Sequence, residues 1–271
     1  MAKRLAVVAV LLPVGLLAIY LGGIYFTAMV VVLIGIAAWE YARLFEAGGL
    51  QPCGPLMVAA AVALVLARYL DGFRSSSWLL ALGIMASMTF HLFAFERGRD
   101  EAGTDFAITL SGILYLGWLG AYLVSLRELP SGMAWVLVAL PVVWLADTGA
   151  YLVGRRWGRR KMAPRLSPKK SWEGYWGGVA WGTLSGVIIA LLLQFFLREE
   201  AAAVTPLRAG LVGLVLSLLT PLGDLGESMI KRQVGVKDSS NLLPGHGGAF
   251  DRIDSWLWAG VIGYYLITWL F

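Results

Sequence analysis

The sequence predicts an all-α, polytopic integral membrane protein of about nine transmembrane helices, with its N-terminus in the cytoplasm. Three observations predict it. The 271 residues are 59% hydrophobic and only 14% charged, where a soluble domain carries roughly a quarter charged residues. Apolar runs long enough to cross a bilayer recur along the chain. Lys and Arg collect in alternate breaks between those runs.

Spanning a hydrocarbon core takes ~20 apolar residues per helix, and in lipid the backbone has to satisfy its own hydrogen bonds. Reading apolar runs between charges gives helices at about Leu5–Leu21, Ile24–Leu44, Leu56–Leu70, Trp78–Phe95, Phe106–Leu126, Met133–Val153, Tyr175–Leu197, Ala209–Ile230 and Ser255–Phe271. The stretch from Leu5 to Trp39 holds no charge. As one helix it would extend about 52 Å at ~1.5 Å per residue, beyond the ~30 Å core, so Gly22-Gly23 is read as a tight turn between two helices. Arg68, inside the short third helix, is expected to snorkel to the interface. Lys3 and Arg4 ahead of an apolar run resemble a secretory signal. With no small-residue cleavage site and further helices following at once, the first helix is expected to be retained.

With the N-terminus inside, 17 of the 22 Lys and Arg fall on the cytoplasmic side and five on the other. This is a strong positive-inside bias. The segment Arg155–Lys170 alone carries eight of the cations. The net charge of +5 therefore reads as attraction to the anionic inner leaflet and to phosphate-bearing ligands, with no nucleic-acid partner expected. A single cysteine, Cys53, excludes an internal disulfide framework. Two cytoplasmic loops stand out, 154–174 and 231–254. Residues 1–132 are read as a scaffold offering a lipid groove and dimer contacts, and residues 133–271 as the catalytic transmembrane domain.

Charged groups inside membrane helices are costly, so those that remain are functional candidates. Asp147 lies near the cytoplasmic end of the sixth helix. Asp224 and Glu227 lie at the same end of the eighth, just after Pro221-Leu222-Gly223, which should loosen that helix. Asp251 and Asp254 immediately precede the ninth. Asp224, Glu227, Ser228 and Lys231 share one helical face at i, i+3, i+4 and i+7, and Asp251 and Asp254 are paired at i, i+3. Carboxylates converging at one level suit Mg²⁺, which takes one or two of them and completes its shell with water and substrate phosphates. Lys169, Lys170, Lys231, Arg232, Lys237, His246 and Arg252 surround them in the sequence, the composition of a metal-assisted phosphate site.

Plainer readings stay open at this point. The Arg155–Lys170 loop also serves as a topology signal touching anionic lipid. Asp147 also suits a buried ion pair, and Asp251 and Asp254 also suit a helix N-terminal cap. Glu199 and Glu200 read as solvated, and His91 as structural. Glu40, near the inner end of the second helix, reads as interfacial but within reach of the pocket.

From Ser228 onward the chain carries Ser228-Met-Ile-Lys231-Arg232, then Lys237-Asp238, then Leu243-Pro244-Gly245-His246-Gly247-Gly248-Ala249-Phe250-Asp251-Arg252-Ile253-Asp254. This 27-residue pattern resembles the motif of phosphatidate cytidylyltransferases, also called CDP-diacylglycerol synthases, with Ala249 where the family carries a larger apolar residue. Asp147-Thr148-Gly149-Ala150-Tyr151, the run from Gly154 to Ser167-Pro168-Lys169-Lys170-Ser171-Trp172-Glu173-Gly174, and Pro221-Leu222-Gly223-Asp224-Leu225-Gly226-Glu227-Ser228 are similar to the same family. The likeness covers about residues 140–260.

The resemblance implies a homodimeric enzyme of the inner membrane, active site facing the cytoplasm, that needs Mg²⁺ and a monovalent cation such as K⁺. It implies CTP and phosphatidic acid as substrates, within membrane lipid. On this reading Asp224 and Asp251 are the principal metal ligands, with Asp254, Asp147 and Glu227 assisting. Lys169, Lys170, Lys231, Arg232 and Lys237 hold phosphates, with Ser171, Ser228 and Arg252 beside them. His246-Gly247-Gly248 brings backbone close to the nucleotide. A CTP-using lipid-alcohol kinase and a transporter are the rival readings. The second fits poorly, because the carboxylates gather at one surface and not at the midplane.

Overall fold

The computed structural model describes residues 2–240, 242 and 247–271; within the first helix, side chains are described at residue 9 and from residue 11 onward. The helices are α1 (Ala2–Leu21), α2 (Gly23–Ala47), α3 (Gly54–Asp71), α4 (Ser76–Glu96), α5 (Ala102–Gly112), α6 (Leu119–Arg127), α7 (Gly132–Trp157), α8 (Trp172–Leu197), α9 (Pro206–Leu219), α10 (Pro221–Gln233) and α11 (Phe250–Leu270). A π-helical turn, Ile113–Trp118, joins α5 to α6. Among the described residues, seven stretches are long and apolar enough to cross a membrane: α2, α3, α4, Ala102–Arg127, α7, Trp172–Ala201 and Pro206–Gln233. The chain is a multi-pass membrane protein.

Gly22 and Gly23, at φ of 63° and 47°, break the long uncharged run between α1 and α2, as its length requires. That left-handed geometry costs glycine little. At the other expected weak point, α9 ends at Leu219 and α10 begins at Pro221. Proline has no N–H to continue the ladder, and Thr220 Oγ1 donates to the Leu216 carbonyl at 2.8 Å. The charged loop after α7 is not irregular throughout: β1 (Lys161–Ala163) and β2 (Ser167–Ser171) form an antiparallel hairpin pairing Lys161 with Ser171 and Ala163 with Ser167.

The chain folds as two compact units, each built from two separate stretches of sequence. One comprises Met1–Ser125 with Ile230–Ile253, the other Leu126–Met229 with Asp254–Phe271. Ser239, Ser240, Ala249 and Phe250 are hydrogen-bonded to Glu40 of α2, which ties part of the C-terminal sequence to the first unit.

In the second unit, α8 carries glycines at every fourth position, 174, 178, 182 and 186. A Cβ on Gly174 would meet the Ala150 carbonyl oxygen at 2.7 Å, and one on Gly178 the Ala146 carbonyl oxygen at 2.8 Å; on Gly182 it would strike Ser217, and on Gly186 the Ala209 carbonyl. This stripe lets α7 and α9 approach α8 to backbone distance, the packing that replaces the hydrophobic effect between helices in lipid. Ser171 caps α8 by accepting from the Gly174 amide at 3.2 Å. The Glu173 carboxylate accepts from the Arg159 and Arg160 amides at 3.0 and 3.2 Å, tying the hairpin's approach to the helix start.

In the first unit, Arg68 is 3% exposed and does not snorkel. Its guanidinium donates to Ser125 Oγ at 2.8 Å and lies 3.7 Å from the Phe73 ring centre, 5.0 Å from that of Trp118 and 4.7 Å from that of Tyr122. Aromatic faces and a hydroxyl replace water around the cation. His91 is buried, with Nε2 2.9 Å from Thr109 Oγ1. Asp105, fully buried, is held by Arg99 Nε at 2.8 Å and the Gln51 amide at 2.7 Å.

Candidate functional site

In the second unit, α10 presents Asp224 and Glu227 one turn apart, and α11 presents Asp254. One oxygen from each lies within 4.8 Å of the others. The local sequence explains the approach. A Cβ on Gly223 would stand 2.6 Å from the Trp258 ring and 2.9 Å from the Asp254 carbonyl oxygen, so glycine beside Asp224 is what admits the α11 backbone. Glu227 and Asp254 are 2% and 7% exposed, while Asp224 is half-buried and ion-paired with Lys170 from β2. The Asp254 carboxylate also accepts its neighbour Ser255's amide at 2.6 Å.

Clustered carboxylates withdrawn from water repel one another unless a cation compensates them. An all-oxygen donor set of this kind fits a hard divalent ion such as Mg²⁺. Asp147, on α7, is exposed and is not among the three.

In the first unit, Lys231 Nζ donates to Asp251 Oδ1 at 2.6 Å, with side chains only 10% and 5% exposed. Asp251 Oδ2 accepts from the Ser239 amide at 2.9 Å, Ser239 Oγ at 2.7 Å and the Gly248 amide at 2.7 Å. Beside it Glu40, 5% exposed on α2, has each carboxylate oxygen doubly engaged. Oε1 accepts from Ser240 Oγ at 2.6 Å and the Ala249 amide at 3.1 Å; Oε2 accepts from Ser239 Oγ at 3.1 Å and the Phe250 amide at 2.8 Å. Glu40 thereby caps α11, whose first amides have no partner within the helix.

The two described glycines of the motif answer to this arrangement. Gly247 has φ of 78°, where a Cβ would stand 2.5 Å from Asp251 Oδ2; a Cβ on Gly248 would collide with Ser239 Oγ and the Glu40 carboxylate. His246 lies outside the described residues. Lys169, Arg232, Lys237 and Arg252 are exposed and Ser228 half-buried; Arg232 donates to the Val236 carbonyl at 3.1 Å. Ser171 serves as the α8 cap described above. Sequence reasoning gave Glu40 and its two serine partners no definite role. The available signal was a carboxylate within an otherwise apolar stretch.

These features define a polytopic membrane protein with a three-carboxylate cluster and a buried lysine–aspartate pair within a glycine-rich motif. The chain belongs to the cytidylyltransferase family, whose model matches residues 2–270. It is similar to a phosphatidate cytidylyltransferase of Synechocystis sp., 32% identical over 97% of this chain and 94% of the relative. A Pseudomonas aeruginosa protein of the same name is 36% identical over 93% and 92%. One from Bacillus subtilis is 37% identical over 62% and 59%.

Proposed function

We propose that this chain transfers the cytidylyl group of CTP to phosphatidic acid. The observation that carries the reading is the carboxylate triad of Asp224, Glu227 and Asp254, in a chain matched almost end to end by relatives of that name. In the reaction a phosphate oxygen of phosphatidate attacks the α-phosphorus of CTP. The bond from that phosphorus to the α,β-bridging oxygen breaks, giving CDP-diacylglycerol and pyrophosphate.

Asp224, Glu227 and Asp254 would hold Mg²⁺, with Asp147 assisting from α7. Asp251, one turn before Asp254 on α11, is the further ligand suggested by the motif spacing. A bound Mg²⁺ neutralises triphosphate charge and orients its oxygens. Lys169, Lys170, Lys231, Arg232, Lys237 and Arg252 would bind the phosphates of both substrates, with His246 and the Gly247 and Gly248 backbone beside the nucleotide. Phosphatidate is already anionic near neutral pH, so alignment and charge neutralisation carry the rate and no strong base is required.

This site would open to the cytoplasm from the inner membrane, where water-soluble CTP meets a headgroup-level phosphate. The distribution of Lys and Arg supports that orientation. The enzyme would act as a homodimer and take a second, monovalent cation such as K⁺, as the family resemblance implies.

The test is a radiolabelled CTP assay with phosphatidic acid, with and without Mg²⁺, on purified protein. The expected products are CDP-diacylglycerol and pyrophosphate. Release of CDP would identify a lipid kinase instead, and no CTP consumption would overturn the reading.

A further inference from the structure

Glu40 lies about two hundred residues before the donors it meets, yet its four polar contacts reach both Ser239–Ser240 and Ala249–Phe250. The two serines offer hydroxyls, the other two residues backbone amides. A carboxylate buried this deeply is costly unless every oxygen is satisfied. The Ser240 hydroxyl and two amides at a helix start meet that cost through charge-assisted bonds, with the Ser239 proton shared between Glu40 and Asp251.

Ser239 couples Glu40 to the proposed chemistry. Its single hydroxyl proton faces two acceptors, Glu40 Oε2 at 3.1 Å and Asp251 Oδ2 at 2.7 Å, and a hydroxyl donates only once. Asp251 in turn receives Lys231 Nζ. A shift of Glu40 therefore moves the donors that fix the Asp251 carboxylate, and with them the lysine head. Gly248 records the same closeness, having no room for a side chain between Ser239 and Glu40.

We infer that Glu40 is a positioning residue for cytidylyl transfer: it clamps Ser239–Ser240 to the start of α11 and so sets the orientation of Asp251 and Lys231. This rests on the function proposed above. Glu40 itself is assigned no contact with substrate.

The experiment uses the full chain in detergent. Glu40→Gln keeps the size but replaces two acceptor positions with N–H donors facing the Ser240 hydroxyl and Ala249 amide, or their Oε2 counterparts. The expected result is a loss of at least about tenfold in kcat/KM for CTP, the scale of a hydrogen bond to a charged group. Tyr41→Phe removes the neighbouring Tyr41–Ser111 hydrogen bond of 2.8 Å and keeps the ring; it should stay within twofold of wild type. Ser240→Ala, a milder lesion, should cost severalfold, and its combination with Glu40→Gln should cost less than the product of the two. Hydrogen exchange supplies a readout independent of turnover: the amides of Ala249 and Phe250 should exchange faster in Glu40→Gln and stay protected in Tyr41→Phe.

Unchanged exchange in Glu40→Gln, multiplicative effects in the double variant, or equal losses in Glu40→Gln and Tyr41→Phe would each overturn the inference. A wild-type protein that forms no CDP-diacylglycerol would overturn the proposed function instead, leaving the clamp to be decided by exchange.

Discussion

Lys231 Nζ sits 2.6 Å from Asp251 Oδ1, both side chains nearly withdrawn from water. Removing one partner of such a pair strands the other charge, typically at a cost of about 3–5 kcal/mol. Lys231→Ala should therefore lower the thermal midpoint of the detergent-solubilised protein as well as raise KM for CTP. A variant with an unchanged midpoint and unchanged CTP dependence would remove Lys231 from both roles.

Asp224→Asn should abolish Mg²⁺-dependent turnover while leaving the protein folded and inserted. Disturbing an outer partner of a metal ligand typically costs ~10–100-fold, and loss of a ligand should exceed that. Asp251→Asn is expected to be inactive as well. Activity near wild type, with an unshifted Mg²⁺ titration, would take the substituted residue out of the metal set.

The α8 stripe should tolerate no side chain. Gly186→Leu drives carbon into the Ala209 carbonyl, and overpacking of this kind costs about 1–3 kcal/mol. Gly103, exposed in the first turn of α5, would meet nothing within 4 Å of an added Cβ. Gly103→Ala should raise stability by about 0.4–1 kcal/mol through the unfolded chain. Equal thermal midpoints for the two variants would refute the packing account.

Arg68→Lys should destabilise although it keeps the charge. An ammonium cannot reproduce the guanidinium's contacts with the Phe73, Trp118 and Tyr122 rings together with the Ser125 bond. We expect a loss of about 1–2 kcal/mol, read as a lower thermal midpoint with turnover per folded molecule preserved. A midpoint equal to that of wild type would argue that the cage contributes nothing.

Seven spans among the described residues were legible because the bilayer enforces them: long apolar runs had to be helices, Gly22-Gly23 had to break the uncharged run from Leu5 to Trp39, and Pro221 marked a weak point in a later span. Helical spacing put Asp224 with Glu227 and paired Asp251 with Asp254, whereas the structure groups Asp254 with Asp224 and Glu227 and holds Asp251 on Lys231. Arg68 was misjudged because snorkelling assumes that lipid surrounds the side chain, whereas two of its three aromatic walls come from residues some fifty positions further on. The Lys161–Ser171 hairpin was hidden by its charges, which read as a topology signal within a cytoplasmic loop. Glu40 was visible as an oddity, but its role depends on partners no local pattern connects to it.

The ties from Glu40 to Ser239, Ala249 and Phe250 span 199 to 210 residues. At ribosomal speeds of ~5–20 residues per second, the carboxylate emerges roughly 10–40 s before its donors do. Throughout that interval α2 carries an unanswered acid, and the nascent chain cannot complete its first compact unit. Assembly of the motif thus becomes a closing event of biogenesis, and a chain cut short before Ser239 would lack the means to finish even its N-terminal half.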